Sequence, residues 1–546
     1  MFSPVDSTSA WAPLRNAVYR NLFVAQLVSN IGLWMQTVGA QWFLVDRGAS
    51  TTVIALVQTA GLAPSLLLSL PAGVLADLLD RRRLLIATSI YSLLGAAVLT
   101  AVSWVGALTP ATLLAMTFLL ACGAALTSPA WQAIQPELVP RAQIPAASSL
   151  GSVTVNAARA VGPALGGLVV AISGPTAVFA LNAVSFVAII AALVLWRRPR
   201  DHRATGRESP GAAIASGLRY VRSAPIVRRI MLRSALFAVP ASALWALLPS
   251  ASSDHLHLDA SGYGAILGVL GVGGVAGVVV IPRARRQVGP NVILAASALI
   301  YAAGVIAIGH LPLVPTAVLL FFAGTAWIGT LTVLNASVQL SLAQWVRARA
   351  MSVYLLVFMG SQAVGSYVWG ALAGAVGLGP TLAIAAAILV LVAASVVVLP
   401  LRAETGTLDR AVSTAWPTPT IVFDVDPTDG PVLVTVRWTV LPGRERAFVS
   451  AMRAVGRARR RTGAYRWGLF RQGDAPDVML EHFMVRSWSE YESQTQTRWT
   501  ASDHAAIEAA RSHTVPGSVI QKPFVAIADD RMRAPSTSAD TATSSP

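Results

Sequence analysis

The chain has 546 residues, of which 55% are hydrophobic and only 12% charged, and its formal net charge is +16. That composition excludes an ordinary soluble domain and places most of the chain in a lipid bilayer. The basic surplus is arginine, with Lys522 the only lysine; it lies in short loops between apolar runs and in a polar tail, a pattern of membrane topology and not of a nucleic-acid-binding face.

Residues 1–19 form a polar N-terminal segment without the apolar core and cleavage site of a secretory signal. Twelve apolar spans follow, at 20–45, 51–76, 84–106, 110–136, 144–172, 175–196, 226–250, 260–282, 290–310, 313–341, 349–376 and 378–400. In the first, Gln26, Asn30, Trp34, Thr37 and Gln41 fall on one helical face. Amides are costly in lipid, so this face is expected to line a wet path or to bond a neighbouring helix.

The second span ends in Gly73-Val-Leu-Ala-Asp77, and Arg81, Arg82 and Arg83 make a tight basic turn before the next apolar run. A positive-inside anchor would explain the arginines alone. Cys122, the single cysteine, lies within the fourth span; it rules out a disulfide framework or a cysteine-based metal site and reads as core packing. Trp131 and Gln132 lie further along that span, in Ser128-Pro-Ala-Trp-Gln-Ala-Ile-Gln-Pro-Glu.

The fifth span reads Asn156-Ala-Ala-Arg159-Ala-Val-Gly162-Pro163-Ala-Leu-Gly166-Gly167. Its glycines permit close helix approach, Pro163 bends the helix, and Arg159 is a charge inside the bilayer, a functional candidate by default. Asn335 and Gln339 in the tenth span and Tyr354, Gln362 and Trp369 in the eleventh add amides and aromatics that suit an amphipathic, part-aromatic ligand. Carboxylates are missing mid-bilayer: none stands between Asp80 and Glu137, Glu137 and Asp201, or Asp259 and Glu404. Asp46, near the end of the first span, is the candidate proton site.

Arginines gather on one side, at Arg15, Arg20, Arg81 to Arg83, Arg141, Arg197 to Arg229, Arg283 to Arg286, Arg347 and Arg349. That side is expected to be cytoplasmic, and an even span count puts both termini there. The linker 197–225 separates two halves, 20–196 and 226–400; within it Ala212 to Arg222 reads either as an amphipathic surface helix or as a disordered linker. The halves look like repeats. A shift of 204 residues carries Gly73, Arg81 and Arg82 onto Gly277, Arg285 and Arg286, and a shift of 206 carries Gly123 and Arg141 onto Gly329 and Arg347.

After a linker at 401–430, residues 431–527 read β-α-β-β-α-β, the order of a ferredoxin-like α+β domain, and 528–546 read as disordered. His482, His504 and His513 are its polar candidates, with surface or packing roles the plainer explanation.

Three stretches carry a family resemblance. Gly73, Leu75, Ala76, Asp77, Arg81 and Arg82 resemble the loop between helices 2 and 3 of the major facilitator superfamily, roughly G-x-L-A-D-R-x-G-R-R/K, with Leu78 and Asp80 departing from it. The resemblance implies a gate in which Asp77 meets the start of helix 11. Gly162, Pro163, Gly166 and Gly167 resemble the helix 5 motif of that superfamily's antiporters, G-x-x-x-G-P-x-x-G-G, with Ala158 in place of the first glycine. That motif implies export. The tail resembles small antibiotic-biosynthesis monooxygenase-type domains, which implies a homodimer or a regulatory module.

Together these resemble the transmembrane secretion effector branch, which is similar to the enterobactin exporter group. The expectation is a membrane protein of twelve helices in two six-helix repeats, in the inner membrane, exporting a siderophore-like or macrolide-like molecule by alternating access without a cofactor. Inward transport of a nutrient, and a membrane-anchored enzyme or sensor acting through the tail, stay open as alternatives. The expected path residues are Asn30, Trp34, Gln41, Trp131, Gln132, Asn156, Arg159, Asn335, Gln339, Tyr354 and Gln362.

Overall fold

The computed structural model describes residues 11–196, 210–402, 405, 409, 411–413 and 423–526, except for the side chains at positions 70, 74, 77, 78, 210–215 and 348. In chain order its elements are α1 (Ala17–Asp46), α2 (Thr51–Leu78), α3 (Arg81–Trp104), α4 (Pro110–Ile134), α5 (Ile144–Leu195), α6 (Pro210–Ser223), α7 (Pro225–Asp254), α8 (Ala260–Gln287), α9 (Pro290–His310), α10 (Leu313–Ser341), α11 (Arg347–Val376) and α12 (Leu378–Ala394). There follow β1 (Val432–Thr439), α13 (Glu445–Thr462), β2 (Arg466–Arg471), β3 (Val478–Val485), α14 (Trp488–Ser493), α15 (Ala501–Arg511) and β4 (Ile520–Val525). Among the described residues nine helices are long and apolar enough to cross a bilayer.

Short polar residues start these helices. Asn16, Asp80, Thr109 and Asp259 each accept a bond from a backbone N–H in the first turn of α1, α3, α4 and α8, at 2.9, 2.9, 3.2 and 2.8 Å. Asp80, which breaks the family pattern, is therefore the N-cap of α3. Helix α5 covers two expected spans and turns between them at Gly174, whose φ of 77° is the left-handed conformation glycine tolerates best; Pro175 follows.

The chain forms two compact units. The first holds α1–α5 and α7–α12, apart from the turn Gln339–Ala350 that joins α10 to α11. Its largest core runs through α1, α7, α8, α9, α10, α11 and α12, centred on Phe237, Leu244, Trp245, Tyr301 and Trp327. Two arginines, Arg82 half-buried and Arg233 buried, act as helix caps. Arg82 donates to Leu193 O at 2.8 Å and Val194 O at 2.9 Å at the end of α5. Arg233, 3% exposed, donates to Leu399 O, Ser395 O and Ser395 Oγ at 2.8, 2.7 and 2.8 Å beyond α12. A cation finishing a helix C-terminus meets its unpaired carbonyls.

The repeat has a packing counterpart. A Cβ on Gly123 would collide with Ser92 Oγ of α3, and a Cβ on Gly329 would lie 2.7 Å from Ser297 Oγ of α9. The same small-residue contact joins α3 to α4 and α9 to α10.

The second unit gathers Gly211–Arg228, Gln339–Ala350 and the C-terminal segment. Four strands form one antiparallel sheet in the order β2-β3-β1-β4. Alternation in β1 buries Val432, Val434, Val436 and Trp438 against α13 and α15, so the other face is open. Under the covered face lies a fully buried ion pair: Arg459 Nε to Glu481 Oε1 is 3.1 Å, and Trp467 Nε1 donates to the same oxygen at 3.0 Å. The Arg459 guanidinium also lies 4.1 Å from the Phe483 ring centre.

In the same unit Glu490 accepts from Arg219 of α6 at 2.6 Å and from Arg498 at 3.3 Å. Arg498 stands 4.8 Å from the ring centre of Trp345, in the α10–α11 turn, and Trp345 meets Tyr220 of α6 edge-on at 5.8 Å. The second helical stretch of the tail consists of α14, a π-helical turn at Gln494–Arg498, and α15, whose start is fixed by Thr500 Oγ1 donating to Asp503 at 2.7 Å.

Candidate functional site

The first unit is drawn together along a seam between α5 and α8. A Cβ on Gly167 would run into the backbone of Ala260 and Gly264, coming 2.8 Å from Gly264 Cα. A Cβ on Gly264 would sit 2.6 Å from Pro163 O, and one on Gly271 would sit 2.5 Å from Ala160 Cα. Small residues thus let two antiparallel helices touch backbone to backbone from Gly167 and Gly264 down to Ala160 and Gly271. Gly162 and Gly166 face α1 instead; their added carbons would lie 2.6 Å from Trp34 Cβ and 2.9 Å from Met35 Cα.

The same end of the unit carries more ties. Tyr263 donates to Gln41 Oε1 at 2.6 Å and stacks on Trp42 at 5.7 Å. Thr52 and Thr59 of α2 donate to Gly370 O and Ala363 O of α11 at 2.9 and 3.2 Å. This end bears Asp46, Thr51 and Asp259.

Beside Ala160 and Gly271 the seam gives way to a narrow, partly open cavity of about the size of a water molecule. Asn156 and Arg159 of α5, Trp245 of α7, Gly271 and Gly274 of α8 and Trp327 of α10 line it. Trp34 stands 6.0 Å from Trp245 and 5.7 Å from the Arg159 guanidinium, and Trp245 meets Trp327 edge-on at 5.8 Å. The wall is mostly aromatic and apolar, with one amide, Asn156, and one cation.

Of the expected path residues, Asn156 and Arg159 line this cavity and Trp34 contacts it. Tyr354 is one ring behind, stacked on Phe358, which contacts Trp327 at 5.8 Å. Gln41 is buried in the seam, Asn30 accepts from Gln26 at 2.9 Å, and Gln362 is buried. Trp131 packs into the core formed by Leu22, Leu85 and Ile134; Gln132 bonds Ser128 at 3.3 Å; Asn335 is half-buried. Gln339 belongs to the second unit.

Trp245 and Trp327 were not among the expected residues, because a tryptophan within an apolar run reads as core packing. Asn182, which donates to Gln36 across α5 and α1, was also unforeseen.

In the basic turn, Arg81 donates to Glu137 at 2.7 Å and to Ala133 O at 3.2 Å, tying α3 to α4. Around Gly73 an added Cβ would meet nothing within 4 Å, and the side chain of Asp77 lies outside those described. Asp46 is exposed at the end of α1. The tail histidines stand apart: His482 stacks on Phe470 on the open sheet face, whereas His504 bonds Ser413 at 2.9 Å.

A bundle of apolar helices closed at one end, with an aromatic cavity beneath the closure, defines a multi-pass membrane transporter. The chain belongs to the transmembrane secretion effector family of the major facilitator superfamily, whose model matches residues 8–527. Over 175 residues it is 30% identical to the staphyloferrin A transporter of Staphylococcus aureus (strain NCTC 8325 / PS 47), a match spanning 32% of this chain and 44% of that protein. Over 378 residues it is 26% identical to the multidrug efflux pump Tap of Mycobacterium tuberculosis (strain ATCC 25618 / H37Rv), covering 66% of this chain and 88% of that one. Its fold is similar to a crystal structure of the nucleoside transporter NupG, with a TM-score of 0.58 at 13% identity over 70% of this chain and all of the other.

Proposed function

We propose that the chain exports a small amphipathic molecule across the inner membrane by alternating access between two six-helix halves. The observation that carries this is the α5–α8 seam, which closes one end and stops where the cavity begins; a carrier needs such a closure on one side of its cycle. The name of one relative, the multidrug efflux pump Tap, supports the direction, and that of another, the staphyloferrin A transporter, supports a small-molecule substrate. So does the antiporter-like motif, whose Gly162 and Gly166 pack on α1 while Pro163 and Gly167 pack on α8. The enterobactin exporter group is our nearest functional analogy.

Twelve crossings are our count. Helix α5 supplies two of them by turning at Gly174, α1 is made less apolar by its amides, and α12 is short at 17 residues. With the arginine-rich loops cytoplasmic, both termini are inside, the seam is at the outer end, and the cavity faces inward. On this reading Asp77, Gly73, Arg81 and Arg82 form the inner gate, and Asp46 is the candidate proton carrier if export is proton-coupled.

We read the tail as a ferredoxin-like domain, supported by its strand order, and as a regulatory module rather than an enzyme. Support comes from Glu490, which through Arg219 and Arg498 holds both the linker helix between the halves and the α10–α11 turn. Homodimerisation would use the open sheet face, where Phe470, Leu480, Ile520 and Phe524 are exposed.

Everted vesicles carrying the full chain test the function. Uptake of one or more members of a siderophore and macrolide panel, driven by an imposed pH gradient or potential, is expected; accumulation only in right-side-out cells would reverse the direction. Deleting residues 405–546 should alter the rate and leave transport in place. Substrate turnover by the tail in a chain that transports nothing would establish the enzyme reading.

A further inference from the structure

We propose that the substrate carries an anionic group, and that Arg159 is its counter-charge in the cavity while Trp245 and Trp327 receive its planar apolar body. The inference rests on the transport reading above and specifies the chemistry of its ligand.

The arginines within the helical unit differ in what they bond. Arg82 and Arg233 each have a visible structural task, donating to the carbonyls at a helix end. Arg159 has none: among the described residues it makes no hydrogen bond or ion pair, its Nε is buried without a partner, and its guanidinium stands 5.7 Å from the Trp34 ring centre. A cation–π contact offsets only a small part of the cost of placing a half-buried guanidinium in an apolar wall.

No neighbouring carboxylate can supply the rest. The sequence has no Asp or Glu between Glu137 and Asp201, Glu208 and Asp254, or Asp259 and Glu404, which covers all of α5 but its end contacts, the membrane part of α7, and all of α8 and α10. The countercharge must therefore be something that enters. A guanidinium presents a planar fork of donors that matches a carboxylate or a comparable oxyanion. A cationic substrate would be repelled at this position, and a neutral one would leave the charge uncompensated. Around Arg159 the wall is aromatic and glycine-rich, which selects a flat apolar body close to the acidic group.

The test is equilibrium binding to the full-length protein in detergent, with a matched pair of probes: N-dansylglycine, which is anionic, and its neutral amide. Energy transfer from tryptophan to dansyl, compared between the parent and Trp245→Phe/Trp327→Phe, reports occupancy beside Trp245 and Trp327. The acid is expected to bind roughly 10- to 100-fold more tightly than the amide, the range for a hydrogen bond to a charged group. Arg159→Gln should erase the difference by weakening the acid far more than the amide, and Arg159→Lys should restore part of it. Should Arg159→Gln fail to fold, the wild-type ratio and the lysine variant still decide the matter. Equal binding of acid and amide, or equal loss of both in Arg159→Gln, overturns the anion assignment while the transporter reading stands. Binding of neither probe overturns the cavity reading itself.

Discussion

Gly167→Ala is the smallest change that should reset the conformational balance. The added methyl would meet the carbonyl of Ala260 and lie 2.8 Å from Gly264 Cα; both are backbone, so no side chain can rotate away and the helices must separate. Overpacking of this kind costs about 1–3 kcal/mol. The intrinsic gain of alanine over glycine in a helix is the same in both conformations and cancels. The whole penalty therefore falls on the state in which the seam is closed, and the ratio of open to closed shifts roughly 5- to 150-fold. Spin labels at Arg47→Cys and Asp254→Cys, in a Cys122→Ser background, would report the width of that end. Gly167→Ala should populate a longer distance, and Gly61→Ala, where an added carbon meets nothing within 4 Å, should not. Identical distance distributions for Gly167→Ala and the parent would refute the claim that this seam is a close-packed closure.

Two further outcomes are expected. Asp77→Asn should leave the protein inserted in the membrane but slow export several-fold, and normal efflux in vesicles would remove Asp77 from the gate. Glu481→Leu strips the carboxylate from buried Arg459 and should destabilise the tail domain by about 3–5 kcal/mol, read as faster hydrogen exchange in β1 and β3 of the full chain. Joint replacement of Arg459 and Glu481 by apolar residues should restore most of the protection, and an unprotected double variant would argue that the pair does more than neutralise itself.

Much of the membrane architecture was legible because its signals are local. Apolar length marks the spans, Asn16, Thr109 and Asp259 mark helix starts, and Gly174-Pro175 marks the turn between two helices that continue as one run. The glycines of the fifth span announced close approach. Which neighbour each one meets was not legible, because α8 is about a hundred residues away and nothing local encodes that pairing.

The same limit explains Gln41. Its place on a polar face suggested a wet path, yet its partner is Tyr263 in the seam, since an amide in lipid is satisfied equally well by a neighbouring hydroxyl. Asn156 and Arg159 could be picked out as polar groups in an apolar helix. The cavity's apolar half could not, because Trp245 and Trp327 look like core until the helices are assembled.

The central claim is that the end closed by α2, α5, α8 and α11 must open for transport. Thr52 Cβ lies 3.9 Å from the position a Cβ would take on Gly374, close to the spacing of about 3.8 Å in a disulfide. Thr52→Cys/Gly374→Cys in a Cys122→Ser background should therefore cross-link on oxidation. Export in vesicles should stop when the bond forms and return when it is reduced. Full export with the cross-link complete would contradict alternating access at this seam.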